Sequence, residues 1–164
     1  LIPIGAYLYI QNKWIVEPLR IGQKIPSSVI QTFDGKNVST DSIFMTKTII
    51  LFFSTTCPRC KNEIANLVSL CPDFKKFVNF AGISLNTESE TKKFLTEINI
   101  PFSIYIDPKK EAQDNFHVLL VPAMFFVNEK QLLVKYKAGE ESKERLKMWL
   151  TRFARLHIDS NFAQ

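Results

Sequence analysis

The stretch TIILFFSTTCPRCKNEIANL, Thr48 to Leu67, decides how this chain is read. Lys47 to Ser54 carries a continuous apolar run, the pattern of a central strand covered on both faces. From Pro58 the pattern turns helical: Ile64, Leu67, Val68 and Cys71 recur at spacings of three and four. Pro72 is expected to stop or kink that helix. Cys57 and Cys60 stand at the joint between strand and helix. Pro58 suits the first turn because it has no N–H to lose, which makes Cys57 an N-cap or first-turn residue. The unpaired N–H groups of that turn and the positive end of the helix dipole then face its sulfur and favour a thiolate there. Arg59 adds a positive charge. Cys60, one turn in, is expected to be more buried and less acidic. This asymmetry suits a two-step exchange, in which Cys57 attacks a substrate disulfide and Cys60 resolves the mixed disulfide, closing a Cys57–Cys60 disulfide.

Two other uses of the pair fit less well. Zinc needs four ligands, and only Cys71, His117 and His157 remain. Cys71 lies three turns beyond Cys60 on the same helix, too far along the axis to share a metal with both. No metal site is expected. A purely structural disulfide within so small a loop would constrain the unfolded chain little. Cys71 itself reads as a small buried apolar side chain. Dithiol chemistry needs no cofactor, and none is expected.

At 164 residues, with 46% hydrophobic and 23% charged, the chain has an ordinary globular balance and the length for one domain with a real core. Fourteen Phe against five Gly point to a well-filled interior. The net charge is +5. A late basic cluster (Lys130, Lys135, Lys137, Lys143, Arg145, Lys147, Arg152, Arg155) is interleaved with Glu129, Glu140, Glu141 and Glu144, and reads as a solvated face, not a nucleic-acid surface. Three cysteines are too few for a disulfide-stapled scaffold.

Residues 1–20 form a separate N-terminal segment in this reading. LIPIGAYLYI is apolar but only half the ~20 residues a membrane span needs, and no basic region precedes it. The stretch reads either as the exit end of a membrane anchor or as a strand, Tyr7 to Ile10, paired with Trp14 to Val16; Pro3 and Gly5 weaken the strand, which favours the anchor. The main domain is expected over residues 21–157, with a tail at 158–164.

Along that domain, Val29–Phe33 and Asn37–Ser39 flank Asp34-Gly35-Lys36 as a hairpin. Phe77–Leu85 reads as a strand, Thr87–Ile98 as a helix and Phe102–Ile106 as a strand. Lys109–Phe116 reads as a short helix started by Asp107-Pro108. Ala123–Val127 and Gln131–Lys137 make a second hairpin, and an amphipathic helix from Glu140 to His157 turns Leu146, Trp149, Leu150, Phe153 and Leu156 inward. Strands alternating with helices argue for an α/β domain with a central mixed sheet flanked by helices. A functional site is expected at the carboxyl end of a central strand, where Thr55, Thr56 and Cys57 fall.

With that unit in place the chain resembles the thioredoxin superfamily, and within it the TlpA/ResA-like thiol–disulfide oxidoreductases related to the redoxins of the AhpC/TSA group. Ile21-Gly22-Gln23-Lys24-Ile25-Pro26 with Phe33-Asp34-Gly35-Lys36 is similar to the family's opening hairpin. Leu51 to Lys61 is similar to its active-site segment, and Asn86–Ile106 to the helix-and-strand insert of this branch. Val121-Pro122-Ala123 resembles the loop that holds a cis-proline beside the cysteines. The resemblance implies a thioredoxin-like fold with an N-terminal β-hairpin and that insert, and a thiol–disulfide oxidoreductase acting outside the cytoplasm, membrane-anchored, in cytochrome c or other protein maturation. Its partners would be a protein bearing a disulfide or dithiol and an upstream thiol redox partner. The resemblance further implies substrate contacts at Thr56, Pro58, Arg59, Val121 and Pro122, with the Val121 main chain pairing a substrate strand. Glu63, six residues after Cys57, matches a glutamate that tunes the cysteines in ResA-like proteins. If buried, it can relay a proton to or from Cys60; otherwise it is a surface glutamate paired with a lysine.

Thr56 departs from the family, since thioredoxins commonly carry Trp there. Two other classes stay open. A peroxiredoxin-like peroxidase would place Pro and Thr/Ser ahead of the reactive cysteine; Ser54 fits, but Ile50 occupies the Pro position and Cys60 has no role. A copper-binding module on the same frame usually has CxxxC and a distant His, and the spacing here is one residue short.

Overall fold

The computed structural model describes residues 18–156. The expected N-terminal segment and tail, and His157, therefore lie outside the described residues, apart from residues 18–20.

Seven strands form one sheet in the order β2-β1-β5-β4-β3-β6-β7. They are β1 (Val29–Gln31), β2 (Asn37–Ser39), β3 (Thr48–Phe53), β4 (Asn79–Ser84), β5 (Ser103–Ile106), β6 (Ala123–Val127) and β7 (Leu133–Ala138). Among the described residues four α-helices accompany them: α1 (Pro58–Phe74), α2 (Glu88–Glu97), α3 (Glu111–Asn115) and α4 (Lys143–Arg155). β3 lies parallel to β4 and antiparallel to β6, and β4 lies parallel to β5, so the sheet is mixed as the alternation of elements implied. The α2–β5 insert takes the place beside β4, and the N-terminal hairpin adds to β5 through Gln31 opposite Ile106.

All six residues of β3 are buried. Period-2 alternation divides them between two layers. Ile49, Leu51 and Phe53 pack with α1, α2 and α4 through Ile64, Leu67, Phe94, Leu150 and Phe153. Ile50 and Phe52 pack on the opposite face with Ile30, Phe44, Ala112 of α3 and Phe116 just after it. Aromatic rings fill both layers. Phe116 meets Phe52 at 5.4 Å and Phe125 at 5.2 Å, and Phe126 meets Phe153 edge-on at 5.3 Å. Full burial of such a side chain contributes about 1.5–3 kcal/mol.

Several element boundaries differ from the sequence expectation, among them the last helix, which starts at Lys143 and not Glu140, and β4, which starts at Asn79 and not Phe77; two of the differences have a plain local cause. Pro72 does not stop α1, which continues to Phe74. A proline so late in a helix removes one backbone hydrogen bond while tertiary packing of Leu70, Cys71 and Phe74 holds the last turn. The short helix before β6 starts at Glu111, not Lys109, because Lys110 takes a left-handed conformation (φ 57). Asp107 still serves the helix start: its Oδ2 accepts the Gln113 N–H at 2.7 Å. In the first hairpin Gly35 sits at φ 79, a left-handed conformation that glycine adopts without strain.

Candidate functional site

β3 delivers its carboxyl end to the start of α1, and the short loop between them is tied down. The Thr55 N–H donates to Asn86 Oδ1 at 2.8 Å, and the Cys57 N–H to the Ser54 carbonyl at 3.3 Å. Thr56, Pro58 and Arg59 face solvent. Cys57 is the N-cap of α1, in extended conformation (φ −85, ψ 117), with Pro58 at the first helical position. Its sulfur accepts the Cys60 N–H at 3.4 Å. The helix N-terminus thus presents a donor to this sulfur, an arrangement that favours negative charge.

The two thiols are free and differ sharply in environment. Cys57 is half-buried, whereas Cys60 is fully buried. Burial pushes the Cys60 thiol up to about 12, and the neighbouring Cys57 and Glu63 push in the same direction, against a hydrogen bond from the Ser54 backbone. Cys60 is held as a neutral thiol behind its partner.

Across the sheet, the loop before β6 reaches the same place. The Val121–Pro122 bond is cis, and the Val121 carbonyl oxygen lies 4.0 Å from Cys57 Sγ. Pro122 is buried, and its own carbonyl accepts the Gly139 N–H at 2.8 Å. Thr56, Pro58, Arg59, Val121 and Pro122 are therefore gathered around Cys57 from two segments. Arg59 also lines an open cleft of about 560 Å³ that runs past Asn66 to residues 139–142.

Glu63 is not a surface glutamate. It is fully buried on the α1 face that carries Cys60 and Ile64. Its Oε1 is ion-paired with the ammonium of Lys137 on β7, and its Oε2 accepts the Glu141 N–H at 2.9 Å. Burial raises its carboxyl above the ordinary value, while Lys137 and the Glu141 N–H pull it back down.

Two features of this site escaped the sequence reading. Lys137 was assigned to a solvated basic face, yet it is only 9% exposed. The signal was indirect: an acid on the buried face of α1 needs a cation. Leu119 and Leu120, 75% and 69% exposed, form an apolar tip just before Val121. Of the remaining candidates, Cys71 is buried in the core, and His117 sits half-buried after α3 at φ 54. Among the described residues, no three His, Cys, Asp or Glu side chains converge as a metal-binding set. No helix among them is long and apolar enough to cross a membrane.

Comparison with known proteins agrees with this architecture. Sporulation thiol-disulfide oxidoreductase A of Bacillus subtilis is 27% identical over 133 residues, covering 74% of this chain and 76% of that protein. Thiol-disulfide oxidoreductase ResA of Bacillus thuringiensis is 24% identical over 151 residues, covering 91% and 87%. The thioredoxin domain of a thiol-disulfide oxidoreductase from Bacteroides vulgatus superposes with a TM-score of 0.72 at 20% identity, over 84% of this chain and 99% of that one, which establishes the thioredoxin-like fold. Residues 21–136 match the AhpC/TSA family. The chain belongs to the AhpC/TSA family and, within the thioredoxin superfamily, is similar to the TlpA/ResA-like branch.

Proposed function

We propose that this protein is a thiol–disulfide oxidoreductase that exchanges disulfides with protein substrates through Cys57 and Cys60. The observation that carries the reading is the placement of Cys57: half-exposed at the N-cap of α1, with Cys60 buried behind it and the Val121 carbonyl 4.0 Å away. A half-exposed sulfur facing helix N–H groups is the nucleophile; a buried neutral thiol one turn on is the resolving group.

In the reducing direction the Cys57 thiolate attacks one sulfur of a substrate disulfide. That S–S bond breaks, and the other substrate sulfur leaves as a thiolate that takes a proton. Cys60 then gives up its proton and attacks Cys57 Sγ. The Cys57–Cys60 bond forms as the bond to substrate breaks, and the second substrate thiol departs. Two electrons have passed from the dithiol to the substrate. Val121, beside the attacked sulfur, pairs its main chain with an extended substrate segment. Thr56, Pro58 and Arg59 supply the rest of the contact surface. Glu63, buried one turn below Cys60, takes and returns the Cys60 proton.

The electrostatics favour one direction. A strong oxidant such as DsbA stabilises its reduced form. Here burial and Glu63 disfavour charge on Cys60, which supports a pair on the reducing side. A reductant of this kind suits the maturation of cytochrome c or other extracytoplasmic proteins. The similarity to the TlpA/ResA-like branch supports an extracytoplasmic setting and an anchored N-terminus. The test is alkylation trapping of the Cys57–Cys60 pair across glutathione and dithiothreitol buffers. A potential near roughly −270 mV or lower supports a reductant, and one near roughly −120 mV would make the protein a disulfide donor. A pair that never cycles removes the redox reading.

A further inference from the structure

The exchange steps make no use of Lys137. Its ammonium is paired with Glu63 Oε1 and donates to the Gly139 carbonyl at 2.6 Å. Lysine is almost never buried unless paired, and a buried ion pair is a weak stabilising device, because desolvation offsets most of the attraction. Apolar side chains would fill the same space at least as well. What the pair does provide is a fixed charge under the thiols.

We propose that Lys137 is a positioning residue of the dithiol site: held between Glu63 and the Gly139 carbonyl, its ammonium keeps the Glu63 carboxylate fixed and charged one turn below Cys60, as the base that receives the Cys60 proton. This rests on the exchange reading above. In the resolving step the Cys60 S–H bond breaks and the proton passes to Glu63. The electron pair left on sulfur forms the Cys57–Cys60 bond, and the substrate sulfur leaves with the pair of the bond that breaks. Glu63 then releases the proton to solvent.

The groups that face Glu63 make Lys137 the decisive one. On α1 Cys60, buried three residues before it, feels its charge; from β7 Lys137 pairs with it, and from the turn before α4 come the charge of Glu140 and the Glu141 N–H. Glu140 works against a carboxylate here, as does burial. Lys135, two residues away on the same strand, places its ammonium 4.1 Å above the Trp149 ring. Lys137 also reaches the substrate side, because the Gly139 whose carbonyl it binds donates its N–H to the Pro122 carbonyl at 2.8 Å.

The experiment is a titration of the Glu63 carboxyl by carbon-13 NMR in the dithiol form of wild type, Lys137→Met and Lys137→Arg. The expected result is a midpoint raised by about one pH unit or more in Lys137→Met, a tenfold change in proton affinity, and restored in Lys137→Arg. An unmoved midpoint overturns the proposal. A second arm measures resolution of a Cys57–glutathione mixed disulfide at neutral pH in a double-mutant cycle with Glu63→Gln. Lys137→Met is expected to slow resolution about tenfold in the wild-type background and to have no further effect beside Glu63→Gln. An equal effect in both backgrounds makes Lys137 merely structural. Where Lys137→Met alone fails to fold, Lys137→Gln takes its place in the same cycle. The NMR arm reads the charge relationship whether or not the protein exchanges disulfides, so its failure is separable from failure of the exchange reading.

Discussion

Cys57 Sγ and the Val121 carbonyl oxygen lie 4.0 Å apart although 64 residues separate them in the chain. On the proposed reading, a substrate segment that pairs with the Val121 main chain would carry its own sulfur to Cys57 and not to the buried Cys60. Removing the resolving thiol should stop the reaction halfway. Cys60→Ser is expected to accumulate a covalent mixed disulfide through Cys57, visible by mass spectrometry as a reducible adduct, while Cys57→Ser forms none. Adducts on Cys60 in the Cys57→Ser variant would reverse the assignment of nucleophile and resolving group.

The difference between the two thiols predicts a pH dependence. Burial holds the Cys60 thiol at about 12, against an ordinary value of 9.0. Folded dithiol protein keeps this proton where the unfolded chain has released it, so the unfolded state gains as pH rises. The stability tied to this thiol is whole below about pH 9 and is lost progressively toward about pH 12. The disulfide form has no Cys60 thiol to titrate. Denaturant midpoints of the two forms should therefore diverge above about pH 9, with the dithiol form falling faster. Parallel decline of both would show that Cys60 titrates as an ordinary exposed thiol.

What the sequence revealed and what it hid have a common physical cause. The joint at Cys57 was readable because everything that builds it is local: the apolar run of β3, the change of period at Pro58, the two-residue spacing of the cysteines. The approach of Val121 was reached only through resemblance, since no local pattern records which loop packs on which helix. Lys137 was misplaced for a related reason. In Leu133-Val134-Lys135-Tyr136-Lys137 the lysines alternate with apolar residues, the pattern of a half-exposed strand. The face they occupy is covered by α4 and by α1, so Lys135 lies over Trp149 and Lys137 meets Glu63. Alternation reports which side chains share a face, not whether that face meets water.

The layered core gives a stability prediction. Phe126 is 1% exposed and packs edge-on against Phe153 at 5.3 Å and Trp149 at 6.5 Å. Truncation leaves a cavity between β6 and α4 that the sheet cannot close. Phe126→Ala should cost about 3–5 kcal/mol, and Phe77→Ala, at a site 62% exposed, should stay within about 0.5 kcal/mol. Urea unfolding of both variants checks this. A small loss at Phe126 would mean that the α4 layer is loosely packed.

Leu119 and Leu120 predict how the enzyme tells substrates apart. Both expose most of their surface, and they directly precede Val121. Burying their apolar area against an extended polypeptide is worth about 25 cal/mol per Å², a gain that a small polar disulfide cannot supply. Replacing both with Ser should leave folding stability within about 0.5 kcal/mol, because little of either side chain is buried. Turnover of glutathione disulfide should be unchanged, since it needs only Cys57 and Cys60. Reduction of a disulfide flanked by apolar residues in a peptide should show a higher KM with kcat preserved, because the lost contact is made equally in the ground and transition states. A matched fall in rate for both substrates would place the effect on the geometry of the Val121–Pro122 loop instead of on substrate contact.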